Sequence, residues 1–324
     1  MSYSYGRALQ QSAIKFWSKD IKNIKGKDFK PVNILCGGFP CQPFSIAGYQ
    51  KGFEDERGNI FFEIIRSKKK SSMRLAINSV KDEDASACVS AGNTGALMAL
   101  SKIILKMIPG IDRPAICGAL PTKNGQCYML DLGANVECDS NHLYQFSIMG
   151  SALVQSLEIN TKPVVGLLNI GSEDFKGNET IKKAGQLMNS SNINYAGFVE
   201  GDDIFDGDFD VIVTDGFAGN IALKSIEGVA KVISHFIKKE FKKNLFTKFS
   251  AIISYPVMSA VKKKVDPRQY NGASLLGLQG VVVKSHGGAD SLAFEQAIKT
   301  AYFEVKNQIL DKIDSLIQTE LSNE

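Results

Sequence analysis

The chain has 324 residues, 44% of them hydrophobic and 22% charged, with a formal net charge of +4. That length holds one large or two moderate domains with a sizeable core, and so mild a basicity does not argue for nucleic acid. With six cysteines in no CxxC pair and only three histidines, a zinc site, a disulfide framework and a histidine-rich metal site are not expected, nor is any cofactor.

No apolar run is long enough to span a bilayer, and the opening MSYSYGRALQQ lacks the apolar centre of a secretory leader, so a cytoplasmic protein is expected. Residues 18–30 are lysine-rich and polar, and residues 32–35 form a short apolar strand candidate. The string Gly37-Gly38-Phe39-Pro40-Cys41-Gln42-Pro43 then sets a cysteine between prolines. Such a cysteine is conformationally fixed, as a positioned nucleophile must be, although an isolated cysteine is commonly a small buried residue. The longer string GGFPCQPFSIAGYQKGFEDERGNIFFEIIR resembles the catalytic loop of DNA cytosine-5 methyltransferases, over residues 14–66. The resemblance implies that Cys41 matches that family's nucleophile, which attacks a flipped cytosine. The family's glycine-rich methyl-donor loop, its ENV-like triplet and its target-recognition region have no counterpart here, so the segment reads as a fragment. Two units are therefore expected, 1–66 and 67–324, with the boundary at the basic stretch Ser67-Lys68-Lys69-Lys70.

Beyond the boundary, residues 72–80 carry Met73, Ile77 and Val80 at helical spacing. From Ala85 one unit recurs: a short apolar strand, a glycine-bearing polar turn, then a helix. Residues 87–89, 127–130, 164–168, 194–199, 211–213 and 281–283 are the strands, and a helix is expected over 96–107. This alternation predicts an α/β fold with a mainly parallel sheet covered by helices. In such sheets ligands lie outside the carboxyl ends of the strands. Those ends carry Gly92, Asn93, Thr94, Gly95, Asp131, Asn135, Asn169, Lys176, Asp215, Gly216, Asn220 and His286. The set is polar, glycine-rich and mostly uncharged, which suits a phosphate or a polar carbonyl compound rather than a metal. The stretch VIVTDGFAGNIALKSIEG (211–228) states the unit most fully, because a strand, glycine turn and helix aim backbone N–H groups at an anion. Each member has a plainer reading: Asp215-Gly216 a tight turn, Asp131 a backbone cap, Lys176 a solvated loop lysine, His286 a satisfied structural histidine. Cys88, Cys117, Cys127 and Cys138 read as core cysteines, so direct attack by a bound substrate is the simpler mechanism.

The ordered motifs SSMRLAINSV, ACVSAGNTGALMAL, DRPAICGALP, LDLGANVECDSNHLYQFSIMGS, VGLLNIGSEDFKGNETIKKA, VEGDDIF, DVIVTDGFAGNIALKSIEG and YNGASLLGLQGVVVKSHGGAD run from residue 71 to near the last residue. Together they resemble the phosphate acyltransferases of bacterial phospholipid synthesis. That resemblance implies a fold like phosphotransacetylases and the isocitrate dehydrogenase type. It implies transfer of a fatty acyl group from acyl carrier protein to inorganic phosphate, by a cytoplasmic homodimer that touches the inner face of the membrane. In that chemistry the Gly92–Gly95 turn and Lys176 would bind phosphate. Asn93, Asn220 or His286 would stabilise the oxyanion, and Asp131, Asn135, Asp215, Asn169 and Gly216 would orient substrate. The family begins with a strand and an aspartate-bearing glycine loop, which the methyltransferase-like fragment replaces here. A sheet truncated on its N-terminal side and an impaired cleft are then expected, with a methyltransferase remnant or a catalytically dead fusion as the alternatives.

Residues 226–264 set an apolar stripe beside Lys238, Lys239, Lys242, Lys243 and Lys262–Lys264, which suits an anionic membrane surface, an acidic partner or a dimer contact. Residues 291–321 have the periodicity of one long packed helix.

Overall fold

The computed structural model describes residues 34–36, 71–157 and 159–321. The candidate nucleophile Cys41, the rest of its motif and the expected boundary at 67–70 lie outside the described residues. Of the first segment, the backbone strand β1 (Ile34–Cys36) is described.

Helix α1 (Ser72–Lys81) starts where the Ser71 hydroxyl accepts from the Arg74 N–H, and it buries Met73, Ala76 and Ile77. Strand β2 (Ala87–Ser90) leads through Gly92 and Asn93 into α2 (Thr94–Leu105). Helix α2 stops two residues before the expected 107 because Lys106 turns to φ 65°. Met107 then bridges to Leu278. The hairpin β3 (Ala115–Thr122) and β4 (Gly125–Leu130) precedes α3 (Ser140–Ser156), the most deeply buried helix. Next come β5 (Val165–Leu168), α4 (Glu179–Asn189), β6 (Tyr195–Val199), β7 (Val211–Val213) and α5 (Gly216–Phe241). Two short helices, α6 (Leu245–Ile253) and α7 (Tyr255–Lys264), lead to the strands β8 (Ala273–Leu276) and β9 (Val281–Lys284). The expected single helix over 291–321 is two, α8 (Ser291–Lys306) and α9 (Ile309–Leu321). The left-handed backbone of Gln308, at φ 54°, breaks the ladder between them and lets α9 turn back along α3.

Among the described residues the strands form one sheet in the order β1-β2-β9-β8-β3-β4-β7-β5-β6. Five neighbouring pairs are parallel. The three central ones, β9-β8, β8-β3 and β3-β4, are antiparallel. The sheet is thus mostly parallel, as the alternating pattern predicts, but it consists of two parallel blocks of opposite direction joined by an antiparallel centre. Residues alternate between two cores. On one face Cys88, Ile116, Met129, Ile212, Leu275 and Val282 meet α1, α2 and the first turns of α5. On the other, Val89, Cys117, Leu130, Val211 and Val283 meet α3, α4, α8 and α9.

Candidate functional site

The loop after β4 is built on one carboxylate. Asp131 is fully buried, and its Oδ1 accepts the N–H groups of Ile116 (3.1 Å), Gly133 (3.0 Å) and Ala134 (2.9 Å). Its Oδ2 accepts the Asn135 N–H (2.6 Å) and the Asn135 Nδ2 (2.9 Å). Burial still pushes its pKa above the usual carboxylate value, against the hydrogen bonds that favour the charge. Asn135, also buried, spends its remaining Nδ2 hydrogen on Pro114 O (2.8 Å) and its own carbonyl on the Gly216 N–H (2.7 Å). The Asp131 carboxylate and the Asn135 amide nitrogen and main-chain carbonyl are thus engaged inside the protein, where they hold the loop.

That loop receives the start of α5. The Asp215 carboxylate caps the helix by accepting from the Ala218 N–H (2.7 Å). At Gly216 a Cβ would stand 2.6 Å from Asn135 O, and at Gly219 it would stand 1.9 Å from Asp131 O, so only glycine allows this approach. Asn220, exposed, lies over Gly133. Beyond β5, Asn169 is buried and its Nδ2 donates to Lys176 O (3.2 Å), while its Oδ1 has no hydrogen-bond partner. Lys176 pairs with Glu173 (2.7 Å) across Gly171, where a Cβ would overlap the lysine side chain. One group of candidates, Asp215, Gly216, Asn220, Asn169 and Lys176, thus gathers at the carboxyl ends of β7 and β5, around the loop that Asp131 and Asn135 hold.

A second group lies at the carboxyl ends of β2 and β9, which belong to the other parallel block. Asn93 Oδ1 caps α2 through the Ala96 N–H (3.0 Å), leaving the first N–H groups of the helix, at Thr94 and Gly95, without intrahelical acceptors. Gly92 N–H donates to the Ser90 hydroxyl (3.2 Å). His286 is exposed; its backbone N–H donates to Asn271 Oδ1 (2.9 Å) and its Nδ1 accepts from the Gly288 N–H (3.1 Å). Neutral His286 therefore carries its proton on Nε2. Burial, and then the charges of Lys224 and Lys284, lower its pKa, so the neutral form prevails at pH 7.

The sheet order does not bring Lys176 to the Gly92–Gly95 turn. Strands β5 and β2 stand six places apart, roughly 29 Å at the usual strand spacing. Helix α5 starts beside Asp131, and its Leu223 and Ile226 lie on the same face of the sheet as Leu97 and Leu100 of α2.

Burial pushes the thiols of Cys127 and Cys138 up to about 12, and raises that of Cys117 as well, so these cysteines are inert thiols at neutral pH. Among the described residues no three His, Cys, Asp or Glu side chains stand close enough to hold a metal ion, and no helix is long and apolar enough to cross a membrane.

A family profile described as "Fatty acid synthesis protein" matches residues 59–312, and one described as "C-5 cytosine-specific DNA methylase" matches residues 7–72. A phosphate acyltransferase of Methylococcus capsulatus is 57% identical over 249 residues, covering 77% of this chain and 74% of that protein. One from Nitrosococcus oceani is 54% identical over 260 residues, covering 80% and 76%. In three dimensions the chain is similar to a branched-chain phosphotransacylase from Enterococcus faecalis (TM-score 0.53, 11% identity, 85% of this chain and 99% of that one). It is similar also to a phosphotransacetylase from Streptococcus pyogenes (TM-score 0.50, 17% identity, 81% and 77%). At such identities these two likenesses speak for the fold alone.

Proposed function

From the premise that this chain belongs to the phosphate acyltransferase family, we propose that it takes the fatty acyl group from an acyl carrier protein thioester and gives acyl phosphate. A phosphate oxygen forms a C–O bond to the thioester carbonyl, the C–S bond breaks, and the departing thiolate takes up a proton. The observation that carries this reading is the presence of exposed neutral donors at the carboxyl ends of the strands. Asn220 at the start of α5 and the Nε2–H of His286 are exposed groups able to donate to a developing oxyanion, while burial keeps the thiols of Cys127 and Cys138 protonated. Asn93 positions the start of α2, Asp215 that of α5, and Lys176 with the buried, unpartnered Asn169 Oδ1 supplies a polar subsite beyond β5.

The test is acyl phosphate formation by the purified chain from acyl carrier protein thioester, with and without phosphate. Phosphate-dependent turnover is expected; a folded chain that releases thiol at the same rate without phosphate overturns the reading.

The same proposal places two units in the chain, a methyltransferase-like segment over 1–66 and the acyltransferase unit over 67–324; the two family matches, which overlap only at 59–72, support it. The far half of α5 with α6 and α7 supports a homodimer that also meets the inner face of the membrane. There Phe236, Phe246, Phe249 and Ile252 are exposed beside the lysines, Leu245 to 83%. Phe246→Asp with Phe249→Asp should abolish co-sedimentation with anionic vesicles and reduce the mass measured by light scattering; retention of both properties removes the arm from these roles.

A further inference from the structure

We propose that the loop after β5 takes up hydrogen phosphate, with Lys176 on its charge and Asn169 Oδ1 accepting its hydrogen, so that Asn169 separates phosphate from anions that carry no hydrogen. The inference rests on the phosphate acyltransferase reading and names the residue that recognises its co-substrate.

Asn169 is 7% exposed, and its amide is only half used. Nδ2 donates to Lys176 O (3.2 Å), while Oδ1 is buried with no donor among the described residues. Native proteins seldom leave a buried acceptor unpaired unless the group has a use. The backbone around this one is built for close approach. Gly177 has a left-handed φ of 88°, and a Cβ there would overlap Oδ1. At Gly171 a Cβ would overlap Lys176 Cδ and stand 2.7 Å from its Nζ, so the lysine lies back across the loop. Asn169 and Gly171 are two residues apart, at most about 7 Å. One tetrahedral anion with hydrogen bonds on both sides spans that distance. Oδ1 is sealed under Gly177 in this conformation, so the anion enters as the loop shifts at its two glycines.

The donors and acceptors present select the ligand. A lysine ammonium has three hydrogens and Glu173 engages Lys176 Nζ at 2.7 Å, which leaves donors for an anion oxygen. Asn169 Oδ1 and the Glu173 carboxylate can only accept. Phosphate keeps at least one hydrogen at neutral pH and meets both kinds of group. Sulfate has none, and would set an oxygen against the lone pairs of Oδ1. The place also suits the reaction. Strands β5 and β7 are parallel neighbours with Leu167 opposite Val213, so this loop leaves the sheet beside the start of α5, where Asn220 is expected to meet the thioester carbonyl.

Titration calorimetry on the full chain, with phosphate, arsenate and sulfate at neutral pH and equal ionic strength, tests this. Arsenate keeps a hydrogen as phosphate does. Wild type should bind the two alike and sulfate about tenfold more weakly, because an analogue without the hydrogen leaves Oδ1 unpaired. Asn169→Leu should weaken phosphate to the level of sulfate while leaving sulfate within about twofold. Lys176→Met should weaken all three anions together. Circular dichroism checks that each variant is folded, and the comparison of phosphate with sulfate in wild type needs no variant. Absence of phosphate binding, equal binding of phosphate and sulfate by wild type, or a preference for phosphate that survives in Asn169→Leu overturns the proposal. The titration needs no turnover: a chain that prefers phosphate through Asn169 yet forms no acyl phosphate keeps this site and loses the functional reading instead.

Discussion

Asp131→Asn tests whether the loop beside α5 hangs on a single carboxylate. The change keeps the shape and removes one acceptor. Oδ2 serves two donors and Oδ1 three. Whichever way the new amide turns, its NH2 therefore faces at least two N–H groups. Each deprived buried donor costs about 1–3 kcal/mol, so the gross loss is about 2–6 kcal/mol. The variant also sheds a desolvated charge, whose cost is visible in the raised pKa of Asp131, and this places the net loss in the lower half of that range. Urea unfolding followed by circular dichroism would read it, with Asp139→Asn as the control. Asp139 caps α3 at an exposed site, and asparagine caps as well as aspartate, so the control should stay within about 0.5 kcal/mol of wild type. A loss for Asp131→Asn no larger than the control's would show that water or loop movement satisfies those donors, and the single-anchor account would fall.

Other expectations follow from single groups. Glu304, buried on α8 with Ser274 Oγ donating to it, has its pKa raised by burial from the usual 4.5 to about 7. A carboxyl raised on folding contributes stability that is present below its unfolded pKa and lost as pH rises through the folded one. Between pH 4.5 and 7 wild type should therefore lose on the order of 3 kcal/mol relative to Glu304→Gln, read as urea midpoints at each pH; parallel curves would refute it. Gly219→Ala forces a Cβ into Asp131 O and should lower thermal stability by about 3 kcal/mol. Gly228→Ala, on the same helix with nothing within 4 Å, should raise it by about 0.5–1 kcal/mol. Lys176→Ala should lower turnover, and a rate unchanged from wild type would remove the polar subsite beyond β5 from the reaction.

The parallel strands were legible because each is a short apolar run closed by glycine and polar residues, as in Val211–Val213 and Val281–Lys284. The antiparallel centre was not. Strand β3, AICGALPT, interrupts its apolar residues with Gly118 and Pro121, and β8, ASLL, has the composition of a helix turn. Without those strands the polar loops read as one row, whereas the chain sends them to two ends of a reversed sheet. Local spacing revealed which residues leave the strands, but burial decided their use. Asp131 and Lys176 look equally available in sequence, yet one is sealed under five hydrogen bonds and the other is half exposed with a carboxylate partner.

Strand β1 comes from the segment whose motif resembles another family, yet it pairs in register with β2, Ile34 opposite Ala87 and Cys36 opposite Val89. A ladder of main-chain hydrogen bonds is indifferent to side-chain identity. The outer side of β2 is therefore a socket for backbone: it accepts a graft by extension alone, so a foreign stretch can finish the sheet's border without sharing ancestry with the strands it joins.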